Sequence, residues 1–542
     1  MSSIRAIDTD HSFHFYLCFY SVHLLVYSRN RNIMSFSKPL SKSLYIRGLQ
    51  CKKSLWLKLN NNSVLKQPDS STLSVFATGD KVGSLACDLF PDGEQMTYNN
   101  TTGSERVALT KKWLEEGVKT IYEATFEFDG VLVMVDILHK DHNGNYEIYE
   151  VKSSTWNVKK KKVKDVYIQD ASIQYYVLNG CGLNISKTSI TLLNTGYVRG
   201  DELDIHELFI HQDVSEEIKS LQGGISTHLD TFKRVLKTDQ EPDIDIGQHC
   251  KKPYECDAFN YCWREQKQIP EYSVFNIFPL TKQSKALELY QQGIVNVQDI
   301  PDDMELTEKQ QFSVDTAKFS TAGQVEIDKP AIQSFLDSLT YPLYHFDFET
   351  FQQPIPEFKG ISPYQQIPFQ YSLHIEHQDK PIEHKEFLGI EGTDPRQALV
   401  DRLVKDIPLN ATTLAFNASF EQMVLKELAK QFPQHKDHLL NISKNIVDLA
   451  TPFQQKHYYL PEMKGKYSIK IILPLLVPEM EEAYKGLDLI HNGSEAMQAF
   501  AALGDMTDQE QVKKYRDSLI EYCKLDTLAM VKILDKLRND LD

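Results

Sequence analysis

The stretch Tyr344-His345-Phe346-Asp347-Phe348-Glu349-Thr350, bounded by Pro342 and Pro354, sets two carboxylates into a run of apolar and aromatic residues. Such a run between prolines reads as a buried strand. Side chains two positions apart on a strand share a face, so Asp347 and Glu349 converge where unpaired charge is costly. A divalent cation is the natural compensation, and an edge strand with two solvated acids is the plain alternative. Far downstream, Leu519-Ile-Glu-Tyr522-Cys-Lys-Leu-Asp526 repeats apolar residues at helical spacing, which puts Tyr522 and Asp526 on one helix face. Between them, Thr412-Thr-Leu-Ala-Phe-Asn417-Ala-Ser-Phe420-Glu421 reads as a short strand entering an amphipathic helix, with Glu421 in its first turn. Asp448, after Ile446-Val447, is the second choice for the same place.

Together these three elements resemble the DEDD exonucleases of the RNase H-like fold, in the subclass whose third motif is Tyr-x-x-x-Asp, here Tyr522 to Asp526. The chain carries Glu421 where the second motif of that family normally has Asp. The resemblance implies 3'-5' exonuclease activity, with Asp347, Glu349, Glu421 and Asp526 binding Mg2+ or Mn2+ and the Tyr522 hydroxyl orienting the attacking water. Two-metal phosphodiester cleavage holds its cations about 3.5–4 Å apart, on hard oxygen ligands.

A second constellation lies in the first half. Tyr122 to Phe128, Asp129-Gly130, Val131 to Leu138, Asn143-Gly144 and Tyr146 to Ser154 read as strand, turn, strand, turn, strand. Asp136 ends one strand, and Glu150 and Lys152 sit two apart on the next, so all three can face one pocket. A helix opened by Asp165 and closed at Asn179-Gly180 follows, carrying Asp170, Gln174, Tyr175 and Tyr176. Taken alone, Glu-x-Lys is common on exposed strands as a same-face ion pair. With Asp136 and the helix, it resembles the Asp...Glu-x-Lys arrangement of RecB-type PD-(D/E)XK nucleases. That resemblance implies metal binding by Asp136 and Glu150, water positioning by Lys152, and Gln174 facing substrate or the lysine. Relatives often carry a histidine ligand on a preceding helix, whereas Gly79 to Phe90 has none, so binding leans on Asp136, Glu150 and Glu123.

Three cysteines are evenly spaced at Cys250, Cys256 and Cys262, and Cys51 precedes the strands. A chain with no secretory signal argues against disulfides, so four thiols point to zinc or an iron-sulfur cluster, which spacing alone does not separate. RecB-type nucleases that carry a 4Fe-4S cluster hold it with one early and three late cysteines, and this layout resembles theirs. They usually have two residues between the second and third Cys, where this chain has five. A cluster here would be structural, closing a long loop.

The 542 residues, 41% hydrophobic and 25% charged, suffice for two to four packed domains. The net charge of -16 runs against a nucleic-acid partner, although acids concentrate in metal sites and positive potential can be local. Lys159 to Lys164 reads equally as a backbone grip and as a solvated loop. Phe13 to Tyr27 is too short and polar to span a bilayer, so no membrane partner and a cytoplasmic location are expected. Met34 reads as the functional start, leaving residues 1–33 as a spurious or disordered extension.

The expected architecture is α/β: a PD-(D/E)XK restriction-endonuclease-like domain over 34–267, a helical connector over 268–339 and an RNase H-like domain over 340–542. Within the connector, Ser284 reads as the N-cap and Gly293 as the stop of a helix. The chain as a whole resembles a bacterial family that fuses these two nuclease types. The implied function is a metal-dependent nuclease acting on DNA, or on RNA, in repair, recombination or defence. The alternative is a nucleic-acid-binding scaffold with a degenerate first domain and a helicase partner.

Overall fold

The computed structural model describes residues 39–156, 159, 161–281 and 284–541. The expected extension over 1–33 and Lys160 of the basic run lie outside them. The chain is a mixed α/β protein whose described residues form two large open sheets and a two-stranded one. Among the described residues, no helix is long and apolar enough to cross a membrane.

The first sheet is built on β1 (Thr120–Phe128), β2 (Val131–Lys140), β3 (Tyr146–Thr155), β4 (Ile185–Leu193) and β5 (Phe209–Asp213), in that spatial order. Asp129 and Gly130 both adopt positive φ, 49° and 71°, as a tight turn between β1 and β2 requires. β1 and β2 pair along their whole length, but β2 and β3 pair only from Ile137 to Lys140. Beyond that point they part, and the short strand Leu40–Ser41 slips in beside Val131 and Leu132. The splay sets Asp136 and Glu150 at the mouth of a gap. Helix α1 (Lys42–Gln50) starts directly after the inserted strand, α2 (Ser70–Cys87) packs on β3, and α3 (Asp165–Gly180) with α4 (Ser215–Leu236) covers the opposite side.

The second sheet has the order β8 (Glu383–Leu388), β7 (Ile367–Glu376), β6 (Leu343–Phe351), β9 (Thr412–Ala415), β10 (Ile446–Asp448). β6 is central, antiparallel to β7 and parallel to β9. α5 (Ser419–Gln431) follows β9, and the 31-residue α6 (Gln509–Asn539) crosses β6 and β7. Between the sheets, short helices pack round Val274, Leu289, Ile300 and Val314. One of them spans Lys285–Gln291, with the Ser284 hydroxyl accepting from Ala286 N and Gly293 at φ 81° beyond its end.

The loop 352–366, between β6 and β7, reaches the first sheet. Arg199 donates from its guanidinium to the Pro356 carbonyl at 2.6 Å and from its backbone to Ile361 at 3.0 Å. The Tyr364 hydroxyl donates to the Ser153 carbonyl at 2.6 Å, one residue past Lys152. Ile355 and Tyr364 pack against the cluster of Tyr122, Tyr149, Leu193 and Phe209.

Candidate metal centres

The alternation of β6 turns Asp347 and Glu349 toward α6, where Asp526 comes down from the helix. One oxygen from each of the three lies within 4.8 Å of the others. Among the described residues no Lys, Arg or His forms an ion pair with any of them, so one buried and two partly buried acids face one another with only the more distant charge of Lys470 to offset them. Burial, then the negative charge of Asp526 and Glu421, pushes both Asp347 and Glu349 well above the usual carboxylate range. Burial raises Asp526 to about 6, against hydrogen bonds from Tyr484 and Tyr522 and the charge of Lys470. Burial and the same carboxylates push the Tyr522 phenol up.

Three further residues join this site, to which the sequence assigns no role, although Lys466-Tyr-Ser-Ile-Lys470 is among the motifs that carry the family resemblance. The Tyr484 hydroxyl donates to Asp526 Oδ1 at 2.6 Å, and its ring meets that of Tyr522 edge to face at 6.4 Å. Lys470 acts electrostatically on Glu349 and Asp526. Gly493 begins the helix Gly493–Leu503, and a Cβ there would stand 3.4 Å from Glu349 Oε2, so glycine lets the positive helix end approach the carboxylate. Tyr484 lies in a helix with acidic neighbours and no pattern that marks it, and only the fold brings it to Asp526.

Glu421, in the first turn of α5, stands behind the trio. It raises Asp347 and Glu349, its Oε2 is buried without a hydrogen-bond partner among the described residues, and burial with Asp448 lifts it to about 7. Asp448 is otherwise engaged: its Oδ1 accepts from Asn417 N and Ala450 N, each at 2.9 Å.

The first sheet holds a cluster of opposite character. Glu150 is buried and accepts from Lys152 Nζ at 2.6 Å, from Lys42 Nζ at 2.7 Å and from Gln174 Nε2 at 2.6 Å. Lys152 also meets Asp170 Oδ2 at 2.6 Å. Asp136 accepts from the backbone of Val151 at 2.7 Å, bridging the gap where β2 and β3 part. Burial and the charges of Glu150 and Glu123 drive Asp136 up, whereas Glu150 is held low because Lys152 and Lys42 outweigh its burial. Glu123, at φ 58° where one rung of the β1–β2 ladder is missing, accepts from Tyr98 at 2.6 Å. Gln174 therefore faces the acid Glu150, and Tyr176 turns away to Asp129. Lys42 is a further member that sequence reasoning misses, since nothing in Ser41-Lys42-Ser43 distinguishes it. In the basic run, Lys162 pairs with Asp165 at 2.9 Å.

Cys51, Cys250, Cys256 and Cys262 line one small cavity together with His249. No three of the thiols come within 4.8 Å of one another. Arg47 grips Asp257 through two bonds of 2.7 Å, and Gln50 donates to the carbonyls of His249 and Tyr254 at 2.8 and 2.9 Å, so side chains already tie Cys51 to the later segment.

The profile of a domain family of unknown function, DUF2779, matches residues 344–468, which include β9, most of β6, Glu421 and Asp448. The chain is similar to the uncharacterized protein UU173 of Ureaplasma parvum, 27% identical over 39% of this chain and 33% of that protein. It is similar to the uncharacterized protein MG366 of Mycoplasma genitalium, 26% identical over 35% and 31%. It is also similar to the mitochondrial exonuclease V of the yeast Scheffersomyces stipitis, 24% identical over 40% and 36%. The chain thus spans about a third of the length of each of these relatives.

Proposed function

We propose that the protein is a metal-dependent nuclease whose hydrolytic centre is the Asp347, Glu349 and Asp526 trio, in a domain of the RNase H-like DEDD kind. The observation that carries this is the convergence of three carboxylates, one buried and two partly buried, within 4.8 Å with no ion-paired cation among the described residues. In a protein interior that arrangement is unfavourable unless a cation joins it. All-oxygen donors suit Mg2+ or Mn2+. Bound there, such ions would activate water and offset charge on the scissile phosphate. Tyr484 holds Asp526 through its Oδ1, the buried Tyr522 hydroxyl also bonds Asp526, and Glu421 is a reserve ligand one step back. The similarity to exonuclease V supports the same reaction class and adds a nucleic acid as the partner.

For the first sheet we infer a RecB-like PD-(D/E)XK arrangement, with Asp136, Glu150 and Lys152 in the metal and water-positioning roles. A second reading has a specific observation behind it. Lys42 and Lys152 already neutralise Glu150 and Asp170, so this cluster can stand without a metal and grip a backbone rather than cut it, as a scaffold for a helicase would. For the four cysteines, gathered round one cavity, we infer a 4Fe-4S cluster, on the one-early, three-late layout that resembles the RecB-type iron-sulfur nucleases. The cluster would be structural.

Hydrolysis of labelled single-stranded DNA with Mg2+ or Mn2+ tests the assignment. Loss on Asp347→Ala with retention on Lys152→Ala locates the reaction at the trio. The reverse result moves it to the first sheet, and no cleavage of any DNA or RNA leaves the scaffold reading.

A further inference from the structure

Between the short helices that join the two sheets and the segment 453–467 lies a cleft of about 410 Å3. Lys309, Lys456, Lys464 and Lys466 line it, with the rings of Tyr272 and Tyr467. Its charge is all of one sign. Only Lys464 among the four is ion-paired within the described residues, to the exposed Glu271 at 2.7 Å.

Lys456 is the telling member. Its ammonium donates to the Lys309 carbonyl at 2.5 Å and to Ser313 Oγ at 2.7 Å, and it stands 4.7 Å from the Phe312 ring centre. All of these partners are neutral. Burial, then the charge of Lys309, lowers it to about 8, so a bound anion is what would hold it fully protonated. Beside it the Tyr272 hydroxyl is buried between Ser313 and Tyr459.

Lysines interleaved with aromatic rings are the means by which single strands are held without sequence preference, the cations tracking the backbone and the rings stacking on bases. The cleft also leads somewhere. Lys466 and Tyr467 line it, and four residues on from Lys466, Lys470 already acts on Glu349 and Asp526.

We propose that this cleft binds the phosphate backbone of a single-stranded nucleic acid and feeds it along Lys466 to Lys470 toward the carboxylate trio. The destination rests on the nuclease reading, while the binding itself does not.

The test uses the full chain, fluorescein-labelled oligothymidylate and EDTA, with affinity read by anisotropy over a range of salt. Replacing one pair of the cleft lysines as Lys309→Gln with Lys466→Gln should weaken binding about tenfold, and the salt slope should become shallower by roughly 1.4, about 0.7 for each phosphate no longer neutralised. Lys111→Gln with Lys513→Gln, exposed lysines elsewhere, should leave both unchanged. Melting curves establish that the variants fold, and Lys466→Ala alone should give about half the change in slope. Unaltered slope in the cleft pair, or an equal loss in the control pair, overturns the proposal. Equally strong competition by duplex DNA overturns the choice of a single strand. A protein that cuts nothing while the cleft pair still flattens the slope refutes the nuclease reading alone. One that cuts, with an unaltered slope, refutes the cleft alone.

Discussion

Replacing Asp347 by Asn should stabilise the metal-free protein at neutral and alkaline pH while removing its response to metal. The trio's oxygens lie within 4.8 Å, and two unit charges at that separation repel by roughly 3 kcal/mol at an effective dielectric of about 20. Asparagine keeps the shape and deletes that repulsion. The pH dependence follows from the direction of the shifts. Asp526 is raised to about 6 and Glu421 to about 7, so the folded chain holds protons that the unfolded chain has released. Their stabilising contribution is complete below about pH 4 and is lost as pH climbs through 6 and 7, by an amount on the order of 3 kcal/mol for each shift of about two units. Thermal melts in EDTA should therefore show Asp347→Asn several degrees above the unsubstituted protein at about pH 8, with the gap closing at about pH 5. Millimolar Mn2+ should raise the melting temperature of the unsubstituted protein at the higher pH, and that of the variant hardly at all. A variant less stable than its parent in EDTA at the higher pH, or a parent indifferent to Mn2+, would refute the reasoning.

Four other outcomes are expected. Tyr484→Phe removes the 2.6 Å bond to Asp526 and should slow hydrolysis about tenfold, with the acidic limb of its pH profile moved upward because that bond holds the carboxyl down; steady-state rates across pH check this. Lys42→Met strips one cation from the buried Glu150 and should destabilise by about 2–4 kcal/mol in urea melts; an unchanged midpoint would mean Lys152 alone suffices. Anaerobically purified protein should carry iron and brown colour, and Cys250→Ser should lose both; zinc in place of iron would refute the cluster assignment. At the far end of α6, Glu376 is drawn down to about 2, burial being outweighed by bonds with His345 and Arg538, so its contribution is present above about pH 4.5 and lost toward pH 2. Glu376→Gln should accordingly flatten acid denaturation followed by circular dichroism.

Much of this was legible because local spacing and tertiary placement agree. Asp347, Glu349, Tyr522 and Asp526 obey strand and helix periods, and burial of one face of each element suffices to bring Asp347, Glu349 and Asp526 together. The turn at Asp129-Gly130 and the Ser284 cap announce themselves for the same reason: each is a backbone requirement that few residue types meet. Tyr484 and Lys42 escape such reading, and Lys470 is legible only as part of a motif without a role, because their roles come from elements far apart in sequence. Lys42 matters only since β2 and β3 part company, and no pattern in either strand announces the splay. Glu421 is the intermediate case, legible as an acid in the first turn of a helix but set back from the trio by an amount that only packing decides.

The loop that carries β6 over to Ser153 and Arg199 bears on how the gene could be dissected. A cut in the helical joint would strip Ile355 and Tyr364 of the aromatic surface they cover, leaving each product with a raw apolar face and broken backbone bonds. The fragments should precipitate singly yet dissolve when co-expressed.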